Sequence, residues 1–115
     1  MSYDVSLRVK VEGIDAYATI ADGPNITWNV SELIEKSSGW CIENEASNGP
    51  VYDWYEKIQR GIRELTIHPD KYRQYESPNG WGTVEGTLGF YRDCIEMIES
   101  VYQTELLHVA EVYVC

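Results

Sequence analysis

The chain has 115 residues, 43% hydrophobic and 12% aromatic, which suits one domain over residues 1–115 and is too apolar for a disordered segment. Nine Lys and Arg stand against nineteen Asp and Glu, a formal net charge of −10. That sign opposes direct binding to nucleic-acid phosphates or an anionic membrane; it serves solubility by self-repulsion, or attraction to a partner with a basic surface.

Residues 3–12 alternate, with Val5, Leu7, Val9 and Val11 on one face and Ser6, Arg8, Lys10 and Glu12 on the other, the pattern of a half-buried strand. After Gly13 the alternation resumes over 15–21, with Ala16, Ala18 and Ile20 set against Tyr17 and Thr19. The short gap predicts an antiparallel hairpin, and Asp22-Gly23-Pro24 is expected to end the pairing. An extended piece, Asn25 to Trp28, leads to Asn29, which with Glu32 three residues on reads as a capping box for a short helix over 30–37. Ser38-Gly39 stops it, and the polar stretch 38–50 reads as a loop.

Pro50 suits the first position of a helix over 50–66, where Val51, Trp54, Ile58, Ile62 and Leu65 recur at helical spacing. Pro69 opens a short helical turn through about Tyr75, and Ser77-Pro78-Asn79-Gly80 is a loop by its turn chemistry. The last helix spans 83–102. One apolar stripe runs through Val84, Leu88, Tyr91, Ile95, Ile98 and Tyr102, and a second through Phe90, Cys94, Met97 and Val101. A face that wide implies contact with both a sheet and another helix. Gly86 and Gly89 near its start are candidates for a close backbone approach. Residues 107–114 read as a final strand beside the hairpin. The expected fold is α+β: a small antiparallel sheet, made of the N-terminal hairpin and the C-terminal strand, with three helical segments packed on one face.

Chemistry-bearing patterns are sparse. Cys41, Cys94 and Cys115 contain no CxxC pair, which fits neither a disulfide framework nor zinc and points to a reducing compartment. Cys115 is expected to be mobile. There is no membrane-length apolar run and no signal-peptide pattern, so the sequons at Asn25 and Asn29 are not expected to carry glycans. His68 and His108 neighbour no nucleophile motif; His68 with Asp70, or Glu43, Glu45 and Asp53, make no metal site. Gly80, Gly82, Gly86 and Gly89 lie near a helix start, but no Lys follows and Glu85 repels phosphate. No enzyme, cofactor or metal is expected.

Two Asn-rich motifs remain. Asn25, Thr27 and Asn29 alternate, so in an extended segment their polar groups point one way, to bind a ligand or to cap local backbone. Asn79-Gly80-Trp81-Gly82 sets an indole between glycines, as an anchor for a partner or as an inward plug. Asn25, Thr27, Trp28, Asn79 and Trp81 are the candidate binding residues.

At these motifs the chain resembles a family of small phage and prophage proteins of Gram-positive bacteria. In that family an Asn-Ile-Thr-x-Asn segment precedes a short helix, and Asn-Gly-Trp-Gly opens the last one. Here these are Asn25, Ile26, Thr27 and Asn29, then Asn79, Gly80, Trp81 and Gly82, with the resemblance extending over about residues 1–114. The family often has His where this chain has Trp28, and the loop from Ser38 to Pro50 is individual. The resemblance implies phage origin and work in the host bacterial cytoplasm. The expected function is non-enzymatic binding that inhibits a host factor with a basic surface, of the anti-defence or anti-CRISPR type. A nucleotide-signal sponge, with a base between Trp81 and the Asn25–Asn29 segment, or a minor phage structural protein, are the alternatives.

Overall fold

The computed structural model describes residues 2–43, 49–101 and 109–115. Strand β1 (Ser2–Lys10) and strand β2 (Tyr17–Thr27) form the hairpin. Helix α1 (Ser31–Ser38), helix α2 (Val51–Ile67), the short helix α3 (Pro69–Tyr72) and helix α4 (Val84–Glu99) follow, and strand β3 (Glu111–Val114) closes the order. The sheet is antiparallel in the order β2-β1-β3, so β1 is central, and the helices pack against one face. This is the α+β architecture expected from the sequence. Tyr102 and His108 lie outside the described residues, as do 44–48 and the first part of the expected last strand. No helix among the described residues is long and apolar enough to cross a membrane.

The β1 alternation is realised: Val5 and Leu7 are buried, and opposite them on β3 lie Val114 and the buried Val112. On the wet face Arg8 pairs with Glu111 at 3.3 Å and stacks on the rings of Tyr17 and Tyr113. Strand β2 departs from its expected end. Asp22 pairs with Ser6 and Asn25 with Asp4, so Gly23-Pro24 forms an irregularity opposite Val5 rather than a stop. An edge strand tolerates Pro at such a position because no ladder hydrogen bond is required there. A side chain at Gly23 would meet the Met97 sulfur and the Val5 carbonyl oxygen, so glycine lets α4 lie against the bulge. A second shift leaves Ile20 unpaired between Thr19 and Ala21. Both Ile20 and Ala21 thereby pack on the core, while Ala18 stays exposed. The chain end is also tied: Cys115 exchanges two backbone hydrogen bonds with Asp4, at 2.8 and 3.0 Å, contrary to the expected mobility.

The helical stripes are buried as their spacing requires. Val51, Trp54, Ile58 and Leu65 of α2 line the interior, as do Val84, Tyr91, Ile98, Phe90, Cys94, Met97 and Val101 of the last helical stripes, with Leu88 and Ile95 partly buried against them. Helix α4 starts at a Thr83 cap, whose hydroxyl accepts from Gly86 N–H at 3.0 Å. Neither Gly86 nor Gly89 meets another backbone; on the helices the close approach lies instead at Gly61, where a Cβ would overlap the Tyr91 ring. Tyr91 is fully buried, and its hydroxyl bridges to Ser37 Oγ at 2.7 Å and donates to the Ile34 carbonyl at 3.2 Å, which joins α4 to α1. The polar stretch after α1 holds an unexpected core residue. Trp40 is fully buried, parallel to Phe90 at 6.3 Å and edge-on to Trp54 at 5.5 Å.

Gly61→Ala is expected to destabilise the chain by roughly 1–3 kcal/mol, because overlap with a ring fixed at both ends outweighs the gain in helix propensity. Urea unfolding is the measurement, and a variant as stable as wild type would contradict the α2–α4 contact. Burial, partly countered by the Ser37 and Ser38 hydroxyls, pushes the Tyr91 phenol up to about 12. Its folded-state value lies above the unfolded one, so its contribution is complete below about pH 10 and lost as pH rises toward about 12. Tyr91→Phe should therefore flatten the alkaline decline of stability by an amount on the order of 2 kcal/mol. The remaining decline includes Cys94, whose thiol burial also pushes up.

Candidate functional site

The two Asn motifs meet in space. Thr27, in extended conformation at the end of β2, caps a single 3-10 turn, Trp28–Val30, by accepting from Asn29 N–H at 3.3 Å. This displaces the expected capping box: α1 begins at Ser31 with no side-chain cap, and Asn29 sits inside the turn. Its side chain is used elsewhere. Asn29 Nδ2 donates to Thr27 Oγ1 at 2.9 Å, while Asn29 Oδ1 accepts from Asn79 Nδ2 at 3.2 Å and from Ser77 Oγ at 3.4 Å. Asn25 lies farther along the strand, on the wet face of the sheet, donating to Asp4 Oδ1 at 2.8 Å and Ser2 Oγ at 3.0 Å. Asn25 thus braces the hairpin and does not join the Asn29–Asn79 pair.

The loop that carries Trp81 is closed on itself and on its neighbours. Asn79 Oδ1 accepts from Trp81 N–H at 2.9 Å and from Ser77 Oγ at 2.7 Å, an Asx-type turn, and Gly80 takes φ 80°, which favours glycine. Ser77 N–H bonds the Gly82 carbonyl at 3.2 Å. Gly82 is a true close approach: a Cβ there would lie 2.8 Å from the Asn29 carbonyl oxygen and 2.9 Å from Val30 Cγ1. Just outside the loop, Glu76 Oε2 accepts from Val84 N–H at 2.8 Å, and Arg73 pairs with Glu85 at 2.6 Å and Glu76 at 3.3 Å. The hydrogen bond and charge of Arg73 hold the Glu85 carboxyl below the usual range. Trp81 itself is 74% exposed, so it is not an inward plug.

Trp28 adjoins the same bridge from the other side. Its ring stacks on Tyr3 at 5.9 Å, and 44% of the residue remains exposed. It forms one wall of a concavity of about 830 Å3, with Asn29, Ser31, Glu32, Glu35, Cys41, Ile42 and Glu43 as the rest of the lining. Among the described residues three carboxylates and no cation line it, so a phosphate would be repelled there. Burial, with the Glu35 carboxylate beside it, pushes the Cys41 thiol up, away from the thiolate that nucleophilic chemistry needs. No three His, Cys, Asp or Glu side chains among the described residues are grouped to hold a metal ion. His68 is the joint between α2 and α3.

Of the five residues named from the sequence, Thr27, Trp28, Asn79 and Trp81 converge and Asn25 does not. Sequence reasoning did not find the acidic concavity, although Glu32 and Glu35, three apart on one helix, were a signal for it. No family model, curated protein or solved structure matches the chain.

Trp81→Ala should leave stability within about 0.5 kcal/mol, as at an exposed position with no packing role. Asn79→Ala should cost roughly 1–2 kcal/mol, because it removes the loop's turn and its link to Asn29. Thermal melts check both, and NMR relaxation of the Trp81 backbone and indole N–H groups should show faster motion in Asn79→Ala than in wild type.

Proposed function

We propose that this chain is a phage-encoded, non-enzymatic binding protein that blocks a host factor in the bacterial cytoplasm by docking on its basic surface. The observation that carries the reading is Trp81, a large side chain 74% exposed on a loop immobilised by hydrogen bonds on both sides. An exposed indole gains nothing from water, whereas an interface buries it: aromatic anchors dominate binding energy, and a backbone already tied by hydrogen bonds has less freedom left to lose on docking. The acidic concavity at Trp28 borders the same bridge, and the net charge of −10 steers a basic partner toward the chain. The resemblance at Asn25–Asn29 and Asn79–Gly82 supports the phage context.

Affinity capture from bacterial lysate tests this. Wild type should retain a defined partner at about 0.05 M salt and release most of it at about 0.5 M, where exposed charges are screened. Trp81→Ala should lose at least about tenfold in affinity for that partner while melting as wild type does. Retention that ignores both salt and the Trp81 substitution would refute the proposal.

A further inference from the structure

Resting on that docking reading, we infer that the concavity beside Trp28 is the seat of an arginine side chain supplied by the partner protein. Tyr3 covers one face of the Trp28 ring, at 29° between the planes, and the residue's exposure leaves the ring available at the wall of the concavity. A guanidinium laid on an indole face is held by the ring quadrupole. Glu32 and Glu35 project from one side of α1, three residues apart, and Glu43 lines the same space. A planar fork of donors can stack on the ring and reach more than one of these carboxylates at once; a lysine ammonium, a compact point charge, can satisfy only part of that set.

Among the described residues no Lys or Arg fills this demand. The described lining of the concavity holds three carboxylates and no basic side chain. The cation nearest in sequence, Lys36, lies over the Tyr75 ring at 5.8 Å, and Arg73 is engaged by Glu85, Glu76 and Asp70. Lys57 is close enough to act on the Cys41 thiol but is not part of the lining. Charge complementarity and a flat aromatic wall therefore select the occupant: a positively charged, planar side chain on a protein segment.

The test is an NMR titration of the full chain, following the Trp28 indole N–H, with three short Gly-Ser peptides of one length that carry arginine, lysine or citrulline at the centre. The arginine peptide should bind at least about threefold more tightly than the lysine peptide, and the uncharged citrulline peptide should not shift the resonance. Glu32→Gln with Glu35→Gln should weaken the arginine peptide about tenfold, Trp28→Ala about fivefold, and Trp28→Phe less than Trp28→Ala. Circular dichroism and melting of each variant establish that it is folded, and the carboxamide variant keeps the test decisive if Trp28→Ala is not. Equal binding of arginine and citrulline peptides, binding of neither, or wild-type affinity in the folded carboxamide variant would overturn the arginine seat. A captured partner that needs Trp81 but tolerates the Trp28 and Glu substitutions would also overturn the seat and keep the docking reading. Arginine selectivity without any capturable partner would keep the seat's chemistry and remove the docking reading.

Discussion

The placing of the long helices against one another follows from how Tyr91 is buried. Its ring fills the space that Gly61 leaves open on α2, and its hydroxyl is shared between Ser37 and the Ile34 carbonyl of α1. One side chain thus sets the spacing of α4 from two other helices. The arrangement satisfies a buried polar atom and uses the absence of a side chain on α2 to do so. Beside it, Phe90 carries the same helix onto Trp40, and Trp40 meets Trp54 of α2. The helices are therefore fixed by aromatic faces and a single hydroxyl, with little freedom to slide.

That rigidity reaches the surface at one end. With α1 and α4 held against each other, the segments entering them are brought together, and two asparagines 50 residues apart can hydrogen-bond. Gly82 permits the backbone contact, and Asn29 and Asn79 lock it. The amides that look most suited to greet a ligand are thereby consumed in holding two loops, and the side chains left to the solvent are the neighbouring tryptophans. What the region presents to solvent is therefore aromatic rather than amide.

Periodicity made much of the fold legible. The β1 alternation, the α2 stripe and the double stripe of α4 each dictate a face, and burial follows them. What could not be read depends on partners distant in the chain. Trp40 sits among Ser, Gly and Asn, so local composition hid a residue that the cores of α2 and α4 needed. Asp22-Gly23-Pro24 has the chemistry of a turn, but pairing with β1 resumes beyond it. Asn29 has a capping pattern with Glu32, yet Thr27 is two residues earlier and already in extended conformation, so it takes the cap and frees Asn29 for Asn79. Glycines in sequence show only that a side chain is missing; which of them faces a neighbour is decided by packing, and it is Gly61, Gly82 and Gly23 rather than Gly86 and Gly89. The candidate site was visible as two motifs, but not as one place.

The irregular course of β2 has an effect beyond the monomer. An exposed, regular edge strand invites another chain to add itself to the sheet, and β2 is an edge of eleven residues. Its two register shifts break that edge into short pieces, Pro24 withholds an N–H, and Asp22 places a charge beside the break. Copies of this chain in a concentrated solution thus meet, at β2, an edge that is poor at templating the sheet's extension, even though large aromatic side chains stay exposed elsewhere on the surface.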